Sequence, residues 1–256
     1  MCLILVAWQV HPGHPLVVAA NRDEFFARPT AAAARWADAP QVIAGRDLEA
    51  GGTWLGVAAG GRFAAVTNVR EPGRPAGDRS RGWLTADFLA GDAAAADYVA
   101  AIDGAAHSGF NLLVGDGREL WYASNRIDAP RPLAPGIYGV SNHLLDTPWP
   151  KLATAKARFA EALPRLPAIE SFFALLADDE LVADENLPAT GVSLEWERRL
   201  SAIFVRSPEY GTRASTVLLS GNGEQAGLLV ERSFGPGPAP AGEVRLPLTP
   251  ASFRRS

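Results

Sequence analysis

The chain has 256 residues, 48% of them hydrophobic, which is enough to bury most non-polar surface in one core. A formal net charge of -4 and a pI near 5.6 leave no basic stripe to neutralise phosphates along a backbone, so nucleic acid is excluded as a partner. One cysteine, Cys2, excludes an internal disulfide framework and a multi-cysteine zinc site, and suits a reducing, cytoplasmic compartment.

The apolar start CLILVAWQV reaches His11-Pro12-Gly13 after about ten residues, too few for a membrane span or an ordinary signal peptide. No integral membrane segment is expected. The run reads as a buried strand that turns through residues 11–15 into a second strand, Leu16 to Ala20. Gln41 to Ala44, Thr53 to Ala58 and Phe63 to Asn68 are further strands, which predicts a meander of at least four. Residues 70–82, REPGRPAGDRSRG, hold four Arg and almost nothing apolar, and read as a mobile, solvated linker, with a lid as the alternative.

Trp83 to Ala106 is Ala-rich at helical spacing and predicts one or two helices. Phe110 to Val114 and Leu120 to Ala123 flank an Asp116-Gly117 turn as a second hairpin. Lys151 to Leu163 and Ile169 to Leu176 are amphipathic helices broken by Pro164 and Pro167, and Trp196 to Leu200 is a short helical turn. Ser215 to Leu219 and Gln225 to Val230 form a third hairpin, and the Pro/Gly run 235–242 leads to a closing strand. Strands, then helices, then strands imply two layered sheets with helices outside, in a single domain over residues 1–256.

Cys2 is the most informative residue. If the initiator methionine is removed, it combines a thiol with a free α-amine, a nucleophile and a base in one place. The competing reading is a small apolar residue at the start of a strand. The second strand runs into Asn21-Arg22-Asp23-Glu24, where alternation puts Asn21 and Asp23 on one face and Arg22 and Glu24 on the other. The hairpin brings this tetrapeptide near Cys2, so Arg22 could lower the thiol pKa and Asp23 bind the α-ammonium. A solvated strand end with local ion pairs is the alternative.

The segment VVAANRDE, followed by Phe25 and Arg28-Pro29-Thr30, resembles the NRDE (transport and Golgi organisation) family, named for the tetrapeptide. The likeness continues in GGTWLGV at 51–57, TN at 67–68, FNLLVGD at 110–116, GVSNHLLDTPWPK at 139–151 and YGTRASTVLL at 210–219. That family is similar to the cysteine-type N-terminal-nucleophile amidohydrolases. The resemblance implies an α/β (α+β) fold, a four-layer αββα sandwich with largely antiparallel sheets. It also implies Cys2, Arg22, Asp23 and Asn142 as a catalytic set, with Asn142 on the oxyanion side; the related acylases separate their Arg and Asp by two residues, whereas here they are adjacent.

Asn68 is a second candidate oxyanion amide, or else a turn cap. Asn21, Arg22, Glu24, Arg28 and Arg213 are candidate ligand contacts, with Arg28 or Arg213 available to an anionic group and a surface salt bridge as the alternative for Arg213. His143 either points into the same pocket or finishes a strand. The four histidines stand at no recognisable metal spacing, so no metal site and no required cofactor is expected. What the resemblance implies of function is the handling of a small hydrophobic anion, haem as cargo or an acyl-coenzyme A. The alternative is an N-terminal cysteine amidohydrolase or thioesterase with Cys2 as nucleophile.

Overall fold

A computed structural model describes residues 2–222, 225–237 and 240–249. The opening hairpin pairs β1 (Cys2–His11) with β2 (His14–Phe25) in antiparallel register from Trp8 opposite Leu16 to Cys2 opposite Arg22. The strand expected to end at Ala20 therefore continues through the polar tetrapeptide. A further antiparallel hairpin, β11 (Tyr210–Leu219) with β12 (Gly227–Phe234), joins the free side of β2, and β13 (Pro240–Leu248) closes that edge. On the other side β1 pairs with β10 (Gly136–Val140), giving a six-stranded sheet in the order β10-β1-β2-β11-β12-β13.

The second sheet is an uninterrupted meander of seven strands. It comprises β3 (Thr30–Arg35), β4 (Val42–Asp47), β5 (Leu55–Ala58), β6 (Arg62–Asn68), β7 (Phe110–Gly115), β8 (Leu120–Ser124) and β9 (Arg131–Pro132). The opening hairpin thus belongs to a different sheet from the meander that follows it. The crossing is made by the turn after Phe25, where Arg28 N–H donates to the Phe25 carbonyl.

Both faces of the central strands are buried, which is why they read as continuous apolar runs and not as alternation. Ile4, Val6, Trp8 and Val18 point between the sheets toward Leu55, Phe63, Leu113 and Tyr122. Leu3, Leu5, Val17 and Ala19 point outward onto α3 (Pro150–Ala162) and α4 (Glu170–Leu176), through Phe159, Phe172 and Phe173. On the far side, Val42, Ala64, Leu112 and Val114 pack on Leu84, Phe88 and Leu89 of α1 (Gly82–Ala90) and Val99 of α2 (Ala95–Ala100). Helix, sheet, sheet and helix stack in four layers, the predicted αββα architecture. A fifth helix, α5 (Leu194–Arg199), lies beside Tyr210, with Trp196 edge-on to its ring at 5.5 Å. Among the described residues, no helix is long and apolar enough to cross a membrane.

Residues 70–82 are not the solvated linker that their composition predicts. Arg70 is buried and donates to Glu197 Oε2 at 2.7 Å, while Glu71 accepts from Arg126 Nε at 2.8 Å and from Gly109 N–H at 3.0 Å. Gly77 N–H and Arg79 N–H then bond Ser108 Oγ and the Ala106 carbonyl at 2.9 and 3.0 Å. The segment is a strap fastened at both ends, leaving residues 72–76 exposed between them. Its partners lie tens of residues away, so composition alone cannot register them.

Candidate functional site

The tetrapeptide sits where β2 passes out of the apolar core, and alternation divides it as expected. Arg22 and Glu24 share the inter-sheet face with Cys2, because Arg22 pairs directly with Cys2 and the next residues on that face, Ile4 and Ala20, lie in the inter-sheet core. The Arg22 guanidinium lies 4.3 Å from the centre of the Trp54 ring, donates to Thr30 Oγ1 at 3.2 Å and stands 4.0 Å from Glu24. Asn21 and Asp23 turn to the helix side. Asn21 donates to the carbonyls of Leu176 and Ile203, both at 2.8 Å, and accepts from Ser215 Oγ at 2.6 Å. Its amide stitches β2 to α4 and β11, so the structure does not place it among the cavity-lining residues.

A cavity of about 410 Å³ opens between the sheets at this end. Cys2, Arg22, Asp23 and Glu24 supply one wall, Thr67 and Asn68 of β6 another, and Arg79 and Arg81 of the strap a third. Arg28 reaches its rim, flanked by Asp47 and Glu49 at 2.9 Å each. Arg213 does not line it. A bulge between Thr212 and Ala214 in the pairing of β11 with β2 marks its position, and its guanidinium donates to the carbonyls of Phe25, Phe26 and Arg28. His143 is exposed and its Nδ1 pairs with Thr147 Oγ1 at 2.9 Å.

The two candidate amides meet. Asn142 is fully buried, and its Nδ2 donates to Asn68 Oδ1 at 2.8 Å. Thr67 Oγ1 donates to the Ser141 carbonyl at 2.6 Å, and Ser141 Oγ donates to the Cys2 carbonyl at 3.0 Å. These bonds tie β6, the segment after β10 and the backbone of Cys2 into one frame. Asn142 is spent on orienting Asn68, whose own Nδ2 makes only a 3.5 Å contact with the Val69 carbonyl and sits at the cavity wall. Of the two, Asn68 is the amide that a ligand oxygen can meet.

Charge is concentrated behind the cysteine. Burial, joined by the negative charge of Asp23, holds the thiol above its ordinary value, against the opposing pull of the positive chain terminus, of Arg22 and of a backbone N–H bond from Asp23. The expectation that Arg22 makes Cys2 more acidic is thus met in sign but outweighed. Burial also raises Asp23, whose carboxylate accepts from Thr212 Oγ1 at 2.7 Å. Lys151 of α3 is buried beside it, donates to the Leu200 carbonyl at 2.8 Å, and is pushed down by burial to about 8. Sequence reasoning missed Lys151, Tyr210 and the strap arginines. The signals were present, since Lys151 and Tyr210 stand at the ends of two of the recurring blocks, and the arginine density of the strap was read as solvation. No group of three or more His, Cys, Asp or Glu side chains that could hold a metal ion occurs among the described residues.

The profile of the transport and Golgi organisation 2 family matches residues 1–236. The chain belongs to that family. It is 39% identical over 245 residues to the Bos taurus transport and Golgi organization protein 2 homolog, covering 86% of this chain and 88% of that one. The Homo sapiens homolog is 34% identical over 243 residues with the same coverage. A solved structure shares the fold. The Caenorhabditis elegans N-acylethanolamine-hydrolyzing acid amidase ortholog superposes with a TM-score of 0.53 at 16% identity, over 85% of this chain and 92% of that one. At that identity the likeness establishes the N-terminal-nucleophile-type sandwich and nothing finer. The NRDE tetrapeptide lies at the strand end that pairs with Cys2.

Proposed function

We propose that the Cys2 cavity binds an anionic acyl ligand of the acyl-coenzyme A type. The observation that supports this reading is the lining around Cys2 and Asn68, where arginines from β2, the following turn and the strap border a polar space of about 410 Å³. Guanidinium groups suit carboxylate and phosphate oxygens, and a cavity of this size takes the polar end of such a ligand with its carbonyl near the thiol. The cytoplasm is the compartment that fits, since acyl thioesters are used there and Cys2 stays reduced.

A second reading, hydrolysis, draws on the pairing of Cys2 with Asn68. The thiolate would attack a thioester or amide carbonyl, forming an S–C bond while the leaving thiol or amine departs, with the developing oxyanion facing Asn68 Nδ2. A free α-amine on Cys2 would take up the thiol proton and pass it to the leaving group, and water would then attack the acyl-enzyme carbonyl, releasing the acid and restoring the thiol, so this chemistry needs Cys2 as the N-terminal residue. Haem as cargo is better suited to the opposite end of the sandwich. There a recess of about 570 Å³ is walled by Leu16, Val57, Phe63 and Leu218.

One experiment separates these readings. The protein is titrated with palmitoyl-coenzyme A while Cys2 alkylation and release of free coenzyme A thiol are followed, with a parallel haem titration read by absorbance. Protection of Cys2 without thiol release is the expected result for a binding protein. Thiol release that Cys2→Ser abolishes would favour the hydrolase, and absence of saturable protection would overturn the acyl reading.

A further inference from the structure

Four arginines line the cavity and its rim and a fifth, Arg213, lies outside it, and all but one are already committed. Arg22 is held by Trp54, Thr30 and Glu24, and Arg28 by Asp47 and Glu49. Arg79 is largely exposed and lies 3.5 Å from Asp87, and Arg213 caps three carbonyls. Arg81 differs from all of them. It lines the cavity and is partly buried, yet among the described residues its one hydrogen-bond contact is a long 3.5 Å approach of Nη1 to the Gly109 carbonyl, and it makes no ion pair there. Burial disfavours its charge, which the fields of Cys2 and Glu24 offset only from a distance. A guanidinium has five N–H donors in a planar fork, and those of Arg81 that open on the cavity are free to meet the oxygens of a ligand.

We propose that Arg81 is the anion receptor of the Cys2 cavity, holding an oxyanion group, carboxylate or phosphate, of a ligand whose carbonyl lies against Cys2 and Asn68. This rests on the reading of that cavity as a ligand site and names the residue that selects for charge. The strap thereby has a purpose beyond closure. Its bonds to Ala106, Ser108 and Gly109 hold the segment that leads into α1 against the start of β7, and so fix where Arg81 enters. Gly82, the next residue, approaches the backbone of Thr53 so closely that a Cβ there would lie 3.2 Å from its nitrogen, which pins the chain at that point.

The thiol itself provides the probe. Cys2 displaces iodide from iodoacetate or from iodoacetamide, forming an S–CH2 bond in each case, and the two reagents differ chiefly in charge. The ratio of their rates, taken at one pH and divided by the same ratio for N-acetylcysteine amide, cancels the thiolate fraction. Arg81 should raise that ratio above one, and Arg81→Gln should lower it by about tenfold, the size of one charge-assisted hydrogen bond. Arg81→Lys keeps the charge and should retain most of the preference, whereas Arg74→Gln, on the exposed part of the strap and outside the cavity, should change it little. Inorganic phosphate or acetate should protect Cys2 in the wild type and not in Arg81→Gln, and whichever protects at lower concentration identifies the oxyanion.

An unchanged ratio in a folded Arg81→Gln protein would overturn the proposal, as would equal losses in Arg74→Gln and Arg81→Gln, which would mean a diffuse field. Failure of both anions to protect would overturn it too. If palmitoyl-coenzyme A protects Cys2 but the ratio ignores Arg81, the ligand site stands and this inference falls. If the ratio depends on Arg81 but palmitoyl-coenzyme A gives no protection, the receptor stands and the acyl-coenzyme A reading falls.

Discussion

The two halves of β2 are equally buried and chemically opposite. Val17, Val18 and Ala19 are fully excluded from solvent, and a few residues on, Asn21, Arg22 and Asp23 are 1%, 5% and 2% exposed. At the apolar end, burial is favourable by itself, roughly 25 cal/mol for each Å² removed from water. At the polar end every buried group needs a partner, and the partners come from several distant segments: Leu176, Ile203 and Ser215 for Asn21, Thr212 for Asp23, Trp54 and Thr30 for Arg22. A strand that served only the core would not continue this way. The difference teaches where the molecule accepts the cost of desolvated charge, and that place is the cysteine.

The contrast breaks most visibly at the ion pair behind the site. Glu197 accepts from Arg70 at 2.7 Å and from the Thr190 N–H at 2.8 Å, and Arg70 Nε and Nη2 are buried with no partner among the described residues. Glu197→Ala strands a buried guanidinium and should cost about 3–5 kcal/mol in urea unfolding, whereas replacing both residues with Met and Leu should recover most of the loss. It should also loosen the strap and speed alkylation of Cys2. At the other end, Leu218→Ala removes a side chain that is 1% exposed and should cost about 2–4 kcal/mol through the cavity it leaves. Cys2 alkylation should not change there. If it changes as much as in Glu197→Ala, the two ends are not independent and the comparison fails.

What the sequence disclosed follows the same division. The central strands and the helix pair α3 and α4 were legible because apolar runs and helical spacing are local signals, and the nearness of the tetrapeptide to Cys2 followed from a short hairpin, whereas its register depends on a bulge between Trp8 and His11. The strand β3 was not legible, since TAAAAR has neither alternation nor β-branched residues; it is fixed by the Glu231 carboxylate of the other sheet, which accepts from Ala33 N–H at 2.7 Å. The short β10, with glycine at two of five positions, likewise carries no pattern of its own and is defined by pairing with β1. At the site, residue types could be nominated but not their allegiance. Asn21 and Arg213 look like ligand contacts in sequence and prove to be bonded to backbone carbonyls, because the acceptors that claim them are carbonyls on other elements.

The polar end should also show itself in pH dependence. Burial places Lys151 at about 8 in the folded chain against 10.5 for an ordinary lysine. Between those values the unfolded chain binds more protons than the folded one, so this group's contribution to stability rises with pH across that window, and below it the full penalty of burying the ammonium is present. Lys151→Met removes the titration. The stability of the wild type relative to Lys151→Met should therefore increase by on the order of 1–3 kcal/mol from pH 8 to 10.5, read by urea unfolding at several pH values. A flat difference would mean that water reaches the ammonium and that this end is wetter than its burial indicates.

The smallest expected effect is the most specific to the cysteine. Burial and Asp23 raise the Cys2 thiol while Arg22 lowers it, so removing each of the two charges should move the thiol in opposite directions. Arg22→Gln should move the midpoint of the alkylation pH profile upward and slow the reaction at neutral pH severalfold, about 1 kcal/mol, the scale of one partly screened charge pair. Asp23→Asn should move the midpoint the other way. Because the electrostatic effect acts only through the thiolate fraction, the Arg22→Gln rate should return to the wild-type value at pH well above both midpoints. A rate depressed equally at every pH would mean that Arg22, stacked on Trp54 at 4.3 Å, holds the cavity open and does not tune the thiol. In that case the pairing of Cys2 with Arg22 is a matter of shape, and the chemistry of this strand end rests on Asp23 and the amide of Asn68.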